Sequence, residues 1–235
     1  MCAMVLHTKA RLDLPRLPQA VVFDMDGLLL DTERLWMAAM IETVADHGHD
    51  MSTGFYQTML GNPWDGIRAM LVAEYGPELR VDDIRPVWTG RFVDLCREQL
   101  ALKSGVVELL DLLDALGIPA AVATSSPKDL AIEHFDHLGI GSRFKLIVAQ
   151  GDYDKGKPDP APYLVATNRL GLRPQDCLAL EDSHNGVRSA SSAGMMTVMV
   201  PDLLGPTDEI SALCAGVGID LHEVRDALSL CSGKA

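Results

Sequence analysis

The second half of the chain constrains the fold most, because helical and strand patterns alternate there. Apolar residues recur at helical spacing over residues 106–116, 130–138, 161–170 and 186–193. Short apolar runs, typical of buried strands, follow at residues 119–124, 146–149, 177–180 and 197–200. Repeated βα units of this length form a parallel sheet with helices on both faces. The sequence therefore predicts an α/β fold.

The first half has a different pattern. Residues 20–23 form another short apolar run, which ends abruptly at Asp24 and Asp26. From residue 32 to residue 103 the pattern is helical, with Pro and Gly breaks and no convincing strand. Residues 1–19 lack the unbroken apolar segment of a secretory signal, and we expect a loose leader there. A helical segment is thus predicted between the first strand and the rest of the sheet.

Composition excludes several classes of function. The formal net charge of −13 repels a phosphate backbone, so a nucleic acid polymer is not an expected partner. A small phosphorylated metabolite remains compatible, since one metal ion and one or two lysines can reverse the field inside a pocket. No apolar run approaches the roughly 20 residues of a membrane-spanning helix. The five cysteines have no C-x-x-C spacing, as expected of reduced thiols in a cytoplasmic protein.

Polar residues follow four of the predicted strands. Ligands of parallel α/β sheets bind beyond the carboxyl ends of the strands, so these residues should meet at one edge. Two carboxylates at i and i+2 after one strand, joined by an acidic pair from another strand, form an oxygen-rich site that suits Mg²⁺. Hydroxyl and lysine donors suit phosphate oxygens. The residues beyond the strand ends are Asp24 and Asp26, then Thr124, Ser125 and Ser126, then residues 151–157 with Lys157, and finally Glu181 and Asp182.

Four segments together resemble the motifs of the haloacid dehalogenase-like (HAD) hydrolases. They are V-V-F-D-M-D-G-L-L-L-D-T-E at residues 21–33, A-T-S-S at 123–126, G-K-P-D-P at 156–160 and L-E-D-S-H-N-G at 180–186. Within that family the chain looks like the sugar-phosphate phosphatases, β-phosphoglucomutases and pseudouridine-5′-phosphatases. The resemblance implies a Rossmann-like core, residues 20–31 and 104–235, with an all-helical cap inserted at residues 32–103.

The resemblance also implies roles for the motif residues. Asp24 would be the nucleophile and Asp26 the general acid and then base. Thr124, Ser125 and Lys157 would hold the transferring phosphoryl group. Asp24, the backbone carbonyl of Asp26, and Asp182 would hold Mg²⁺, with Glu181 close by or ligating through water. The expected activity is Mg²⁺-dependent hydrolysis of a phosphoric monoester, through an aspartyl phosphate.

Other activities remain as alternatives. A phosphomutase would share the same core, but Trp36 stands where the β-phosphoglucomutases have a cap histidine, which favours hydrolysis. A dehalogenase also uses an Asp nucleophile, but it needs neither a metal nor Asp26. The presence of Asp26 and of the Glu181–Asp182 pair therefore argues against this activity. A non-catalytic relative is disfavoured because no motif residue is missing.

The substrate depends on cap residues that meet it on closure. A hexose or deoxyhexose phosphate is the first expectation, followed by a nucleoside monophosphate such as pseudouridine 5′-phosphate and by phosphoglycolate. We also expect a monomer. The candidate cap residues are Trp36, Asn62, Trp64 and Arg68.

Overall fold

The computed structural model describes residues 12–62 and 64–233, which contain a six-stranded parallel sheet. Its strand order is β3-β2-β1-β4-β5-β6. The α/β class predicted from the sequence is therefore confirmed. The strands are β1 (Ala20–Phe23), β2 (Ala120–Pro127), β3 (Phe144–Gln150), β4 (Cys177–Glu181), β5 (Met196–Met199) and β6 (Gly216–Val217).

Strand β1 lies near the middle of the sheet, between β2 and β4. Val22 is in register with Ala121 of β2 and with Ala179 of β4. All four residues of β1 are buried, as expected for a central parallel strand that is covered on both faces. This pairing brings the residues that follow β1, β2 and β4 to the same edge of the sheet.

Helices cover both faces of the sheet, and the two-residue period of the strands divides the core into two layers. Val21 and Phe23 face one apolar cluster, and Ala20 and Val22 face the other. The helices are α1 (Thr32–Asp46), α2 (Thr53–Met59), α3 (Trp64–Tyr75), α4 (Val81–Gln99), α5 (Val106–Leu116), α6 (Lys128–His137), α7 (Ala161–Leu170), α8 (His184–Ser192), α9 (Asp208–Leu213) and α10 (Leu221–Ser232).

Helices α1 to α4, which come between β1 and α5 in the chain, pack together as a separate layer. They share an apolar cluster that includes Val44, Leu71 and Trp88. The two chain segments that connect this layer to the sheet lie side by side: Asp31 N donates to Ala101 O at 3.0 Å, and Lys103 N donates to Leu29 O at 2.9 Å. The helical nature of the insert is as expected, and its boundaries as a domain, residues 32–103, stay a prediction.

Two parts of the fold differ from the sequence-based expectations. Helices α9 and α10 and the short strand β6 were not predicted. Leu12 and Leu14 are buried in the same apolar cluster as Val21 and Phe23, which we call the main core, and Leu12 N donates to Glu223 Oε1 at 3.2 Å. The expected looseness of the leader is therefore wrong for residues 12–19, because this segment covers apolar surface; residues 1–11 lie outside the described part of the chain.

Within residues 12–62 and 64–233, no helix combines the length and the apolar character that crossing a membrane requires.

Candidate active site

Carboxylates from two adjacent strands form the centre of the candidate site. Asp24 follows β1 directly, while Glu181 ends β4 and Asp182 follows it. One carboxylate oxygen from each of these three residues lies within 4.8 Å of the others. Asp24 is 8% exposed and Glu181 is fully buried. These oxygens could hold a metal ion, and the carboxylates of this small buried cluster need a cation close by.

Lys157 supplies one positive charge to this cluster. Its Nζ donates to Asp24 Oδ1 and, at 2.6 Å, to Glu181 Oε1. The lysine side chain is only 6% exposed, and it lies over the ring of Tyr163, 5.0 Å from the ring centre. Lys157 therefore bridges the carboxylates of Asp24 and Glu181.

Glu181 has donors on both of its carboxylate oxygens. Oε1 accepts from Lys157 and, at 2.6 Å, from the hydroxyl of the buried Tyr163. Oε2 accepts from the backbone N of Ser183 at 3.4 Å and from its hydroxyl at 3.2 Å. Gly186 makes this arrangement possible, since a Cβ there would overlap the carboxyl group of Glu181. Glu181 is thus held rigidly in place.

The charges of the cluster shift several pKa values. Burial, together with the neighbouring Glu181 and Asp26, raises the pKa of Asp24 to about 8 despite the opposing effect of Lys157. Burial and Asp24 also raise the pKa of Asp182 well above its usual value. For Lys157 the two carboxylates outweigh burial and raise the pKa well above its usual value. One lysine therefore does not balance three carboxylates, and an additional cation would favour their ionised forms.

Hydroxyl groups hold the side chain of Asp26. Thr32 Oγ1 donates to Oδ1 at 2.9 Å, and Ser126 Oγ donates to Oδ2 at 2.7 Å. The hydroxyl of Thr124 is farther from Oδ2, at 3.5 Å. These contacts orient the carboxyl group of Asp26 through hydroxyls rather than through the Asp24 cluster.

A cavity of about 320 Å³ reaches this cluster at Asp182. Glu33 at the start of α1 and the loop after α2 line one side, and the start of α8 with the loop after β5 lines the other. Burial, Asp26 and Asp202 raise the pKa of Glu33 to about 7, because its ionised form is partly removed from water and lies near two other carboxylates. The described lining residues are Glu33, Leu60, Gly61, Asn62, Asp182, Ser183, His184, Asn185, Arg188, Leu203 and Leu204.

Two of the candidate phosphate-binding residues, Thr124 and Ser125, differ in their exposure to solvent. Thr124 is buried, and its Oγ1 accepts from Ser126 N at 3.0 Å. Ser125 is exposed at the end of β2. Tyr153 lies beside them, and its hydroxyl donates to Thr124 O at 2.9 Å. Thr124 therefore lies at the same edge as Lys157 and Asp24, with the exposed Ser125 next to it in the chain.

The candidate cap residues divide into two groups. Asn62 is exposed and lines the cavity. Trp36 instead stacks on Phe92 of α4, with the ring centres 3.8 Å apart and the planes 9° from parallel, and it packs against both the main core and the cap cluster. Arg68 is exposed and pairs with Asp82, and Trp64 packs against Trp88 and Arg85. Trp36, Trp64 and Arg68 are not among the described residues that line this cavity.

Sequence analysis placed Ser126 at the edge of the sheet without a role of its own, and it did not single out Thr32, Tyr163, Glu33 or Asp202 as functional. Thr32, Glu33 and Ser126 lie inside the recognised segments, so the segments themselves contained a signal. Asp202 follows β5, and the rule for strand ends would have included it had it been applied to that strand. Tyr163 occupies an inward position of α7 that reads only as part of the core.

The fold and the site together define an α/β enzyme with a carboxylate-centred active site at the carboxyl edge of a parallel sheet. Residues 21–200 match the family model of the haloacid dehalogenase-like hydrolases. The chain therefore belongs to this family, and relatives that are named phosphatases confirm the expected enzyme class, a hydrolase of phosphoric monoesters.

Individual relatives are similar over most of their length. A Drosophila melanogaster protein named "Probable pseudouridine-5′-phosphatase" is 36% identical over 77% of this chain and 80% of its own. The phosphorylated carbohydrates phosphatase of Thermotoga maritima is 31% identical over 75% of this chain and 82% of its own. A crystal structure of a CbbY variant from Rhodobacter sphaeroides, in complex with xylulose-(1,5)-bisphosphate, has a TM-score of 0.70 and 27% identity, covering 87% of this chain and 95% of that one.

Proposed function

We propose that this chain is a Mg²⁺-dependent phosphatase that hydrolyses a small phosphorylated metabolite, a sugar monophosphate, through an aspartyl phosphate. The observation that carries the proposal is the position of Asp24, which is buried between Lys157 and two further carboxylates next to the cap-side cavity. A carboxylate in that position has a cationic partner for the phosphate oxygens beside it and an oxygen-rich cluster around it.

Asp24, Asp182 and the backbone carbonyl of Asp26 would hold Mg²⁺, with Glu181 beside it. The donor set fits, because Mg²⁺ prefers oxygen ligands and keeps several waters. Gly27 leaves room for this set, since a Cβ at that position would collide with Asp182 Oδ2. When bound, the ion would offset the repulsion between Asp24 and the phosphate and stabilise the charge of the transferring group.

The chain's own residues divide the chemistry between them. Asp24 attacks phosphorus and forms an acyl phosphate, while the bond from phosphorus to the leaving oxygen breaks. Asp26 gives its proton to that oxygen, so the alcohol leaves neutral. Asp26 then takes a proton from the attacking water, and hydrolysis releases inorganic phosphate and restores Asp24. Thr124, Ser125 and Lys157 hold the phosphoryl oxygens during both steps.

The cavity favours an uncharged polyol as the leaving group. Asn62, Asn185 and Glu33 offer amide and carboxyl groups for hydroxyls, and three leucines cover the carbon skeleton. The cationic side chains at the cavity already have partners: Arg188 binds Glu209 through two bonds of 2.9 and 3.0 Å, and His184 Nε2 lies 2.9 Å from Gly205 O. A second phosphate would therefore find no unpaired cation among the described lining residues.

A nucleoside monophosphate is the second candidate, and the D. melanogaster relative is the observation that favours it. The described lining residues contain no Phe, Tyr or Trp on which a base could stack. The T. maritima relative is named for phosphorylated carbohydrates. We therefore rank a sugar monophosphate above a nucleotide.

A phosphomutase activity is disfavoured by the position of Trp36. A mutase must protect its phosphoenzyme from water until the sugar binds, so its cap needs a group that makes closure depend on the substrate. Trp36 stacks on Phe92 instead, and it is not among the described residues that line the cavity. The aspartyl phosphate should accordingly hydrolyse promptly.

One experiment with purified protein and Mg²⁺ tests these choices. Hexose, pentose and hexitol monophosphates are compared with pseudouridine 5′-phosphate and with sugar bisphosphates, and phosphorus NMR identifies the products of each, including β-glucose 1-phosphate with a bisphosphate primer. We expect inorganic phosphate, formed with the highest kcat/KM from a sugar monophosphate. Glucose 6-phosphate formed faster than phosphate would establish the mutase instead, and a preference for the nucleotide or a bisphosphate would overturn the substrate class.

A further inference from the structure

The side chain of Asp202 has one carboxylate oxygen without a hydrogen-bond partner. Asp202 lies in the loop after β5, and its side chain is 10% exposed. Oδ1 accepts from Lys103 Nζ at 2.7 Å. Oδ2 is buried and has no hydrogen-bond partner among the described residues. A buried carboxylate oxygen without a donor is costly, so its presence calls for a reason.

This oxygen lies beside the carboxylate cluster. A Cβ placed on Gly27 would lie 3.3 Å from Asp202 Oδ2 and would collide with Asp182 Oδ2. The two oxygens therefore approach the same point on the backbone of Gly27, from the loops after β5 and β4. Asp202 is not among the carboxylates whose oxygens all lie within 4.8 Å of one another. Asp202 therefore lies next to the potential metal ligands without being one of them.

We propose that Asp202 is a positioning residue for the metal site: its Oδ2 accepts a hydrogen bond from a water molecule that belongs to the Mg²⁺ coordination shell. Mg²⁺ commonly keeps several of its waters in protein sites, and each of these waters needs an acceptor. Outer-shell acceptors of this kind fix the geometry of the ligands. The position and the unmet hydrogen-bonding capacity of Oδ2 both match this role.

Lys103 holds Asp202 in the required orientation. It belongs to the second segment that connects the helical cap to the sheet, and its Nζ also lies 3.8 Å from Asp31 Oδ1 in the first such segment. Binding Oδ1 to Lys103 directs Oδ2 toward Gly27. The inference rests on the proposed function, because it requires that Asp24 and Asp182 hold Mg²⁺.

Isothermal titration of the metal-free protein with MgCl2 tests the role without using turnover. The variant Asp202→Asn keeps the size of the side chain and removes the charge of the acceptor. The matched control is Asp152→Asn: Asp152 is 17% exposed, binds Arg169 at 2.7 Å and Ala149 N at 3.0 Å, and follows β3 rather than the strands of the cluster. We expect Asp202→Asn to weaken Mg²⁺ binding by about 10- to 100-fold, the usual effect of losing an outer-shell partner.

The increase in Tm on adding Mg²⁺ provides a second measurement. It should shrink for Asp202→Asn at a fixed Mg²⁺ concentration and keep its wild-type size for Asp152→Asn. Unchanged Mg²⁺ affinity in Asp202→Asn would overturn the inference and leave Asp202 as a structural partner of Lys103. If Asp202→Asn and Asp202→Ala both fail to fold without metal, the role is likewise structural. Absence of Mg²⁺ binding by the wild-type protein would contradict the metal in the proposed function itself.

Discussion

The sheet side and the cap side of the candidate site, which we call the sheet wall and the cap wall, differ in how firmly their polar groups are held. On the sheet side, Glu181 is fully buried and has four donor contacts, and Asp26 is bound by hydroxyls from α1 and β2. On the cap side, Asn62 is exposed, and among the described residues its amide donates to backbone oxygens of the preceding turn, Thr58 O at 3.1 Å and Met59 O at 3.3 Å. The proposed reacting groups are therefore preorganised, whereas the candidate specificity residue Asn62 is held less firmly.

This difference follows from the elements that carry each wall. Pairing of β1 with β2 and β4 fixes the backbone on the sheet side through hydrogen bonds on both edges. The cap wall comes from the end of the seven-residue helix α2 and the loop that follows it. Chemistry requires fixed distances, so it belongs on the sheet. Discrimination between substrates can use a segment that adjusts on closure.

The largest expected effect comes from Asp24. Asp24→Asn replaces the nucleophile with a neutral amide of the same shape, which is also a poorer metal ligand, so kcat should fall by several orders of magnitude. Phosphate release with a sugar monophosphate and with p-nitrophenyl phosphate measures the loss, and circular dichroism checks that the fold persists. Near-normal Mg²⁺-dependent hydrolysis by Asp24→Asn would contradict the mechanism.

Asp26 should show a smaller and more selective loss. Asp26→Asn keeps the backbone carbonyl, so Mg²⁺ binding should persist while kcat falls by roughly 10²- to 10⁴-fold, the usual contribution of general acid and base catalysis. A good leaving group needs little protonation, and the first step with p-nitrophenyl phosphate should therefore suffer less than with a sugar phosphate. The role assigned to the Asp26 side chain would be wrong if the variant lost its affinity for Mg²⁺.

Sequence reasoning recovers the sheet wall well, for a physical reason. The strand positions follow from short apolar runs, and the parallel topology then places the residues after β1, β2 and β4 at one edge without further information. The grouping of Asp24, Glu181 and Asp182 needed only that rule and the recognised segments. The helix boundaries of α5 and α7 also agree with the predicted residues 106–116 and 161–170.

The side-chain positions on the cap wall and the contacts that support Glu181 could not be predicted from the sequence. A tryptophan at position 36 has the same pattern whether it faces a substrate or stacks on Phe92, and an arginine at position 68 reads the same whether it is free or bound to Asp82. These outcomes depend on how the helices of the cap pack against one another. Tyr163 lies at a helix position that the sequence pattern assigns to the core. Its hydroxyl contact with Glu181 depends on how α7 packs against β4.

Tyr163 allows the rigidity of the sheet wall to be tested. Tyr163→Phe removes one buried hydrogen bond that helps to orient Glu181, and we expect kcat/KM to fall roughly 10- to 100-fold, the usual effect of losing a supporting partner of a site residue. Because Glu181 and Lys157 would lose orientation, most of the loss should appear in kcat. Tyr75→Phe is the control, since the Tyr75 hydroxyl donates to Asp50 O at 3.2 Å on the exposed face of the cap. Equal kinetics in the two variants would show that the hydroxyl of Tyr163 does not support the site.

Asn62 and Arg68 should produce the smallest effects and separate the two faces of the cap. Asn62→Ala removes an amide at the cavity, and a hydrogen bond to a substrate hydroxyl of about 1 kcal/mol corresponds to roughly a fivefold loss of kcat/KM for the preferred sugar monophosphate. Hydrolysis of p-nitrophenyl phosphate, which has no hydroxyls for Asn62 to bind, should stay the same. Arg68→Ala breaks only an exposed pair with Asp82, so both substrates should react as with the wild-type protein. A loss in Arg68→Ala confined to the sugar phosphate would mean that cap closure brings Arg68 to the substrate, and the specificity wall would then extend beyond the cavity that Asn62 lines.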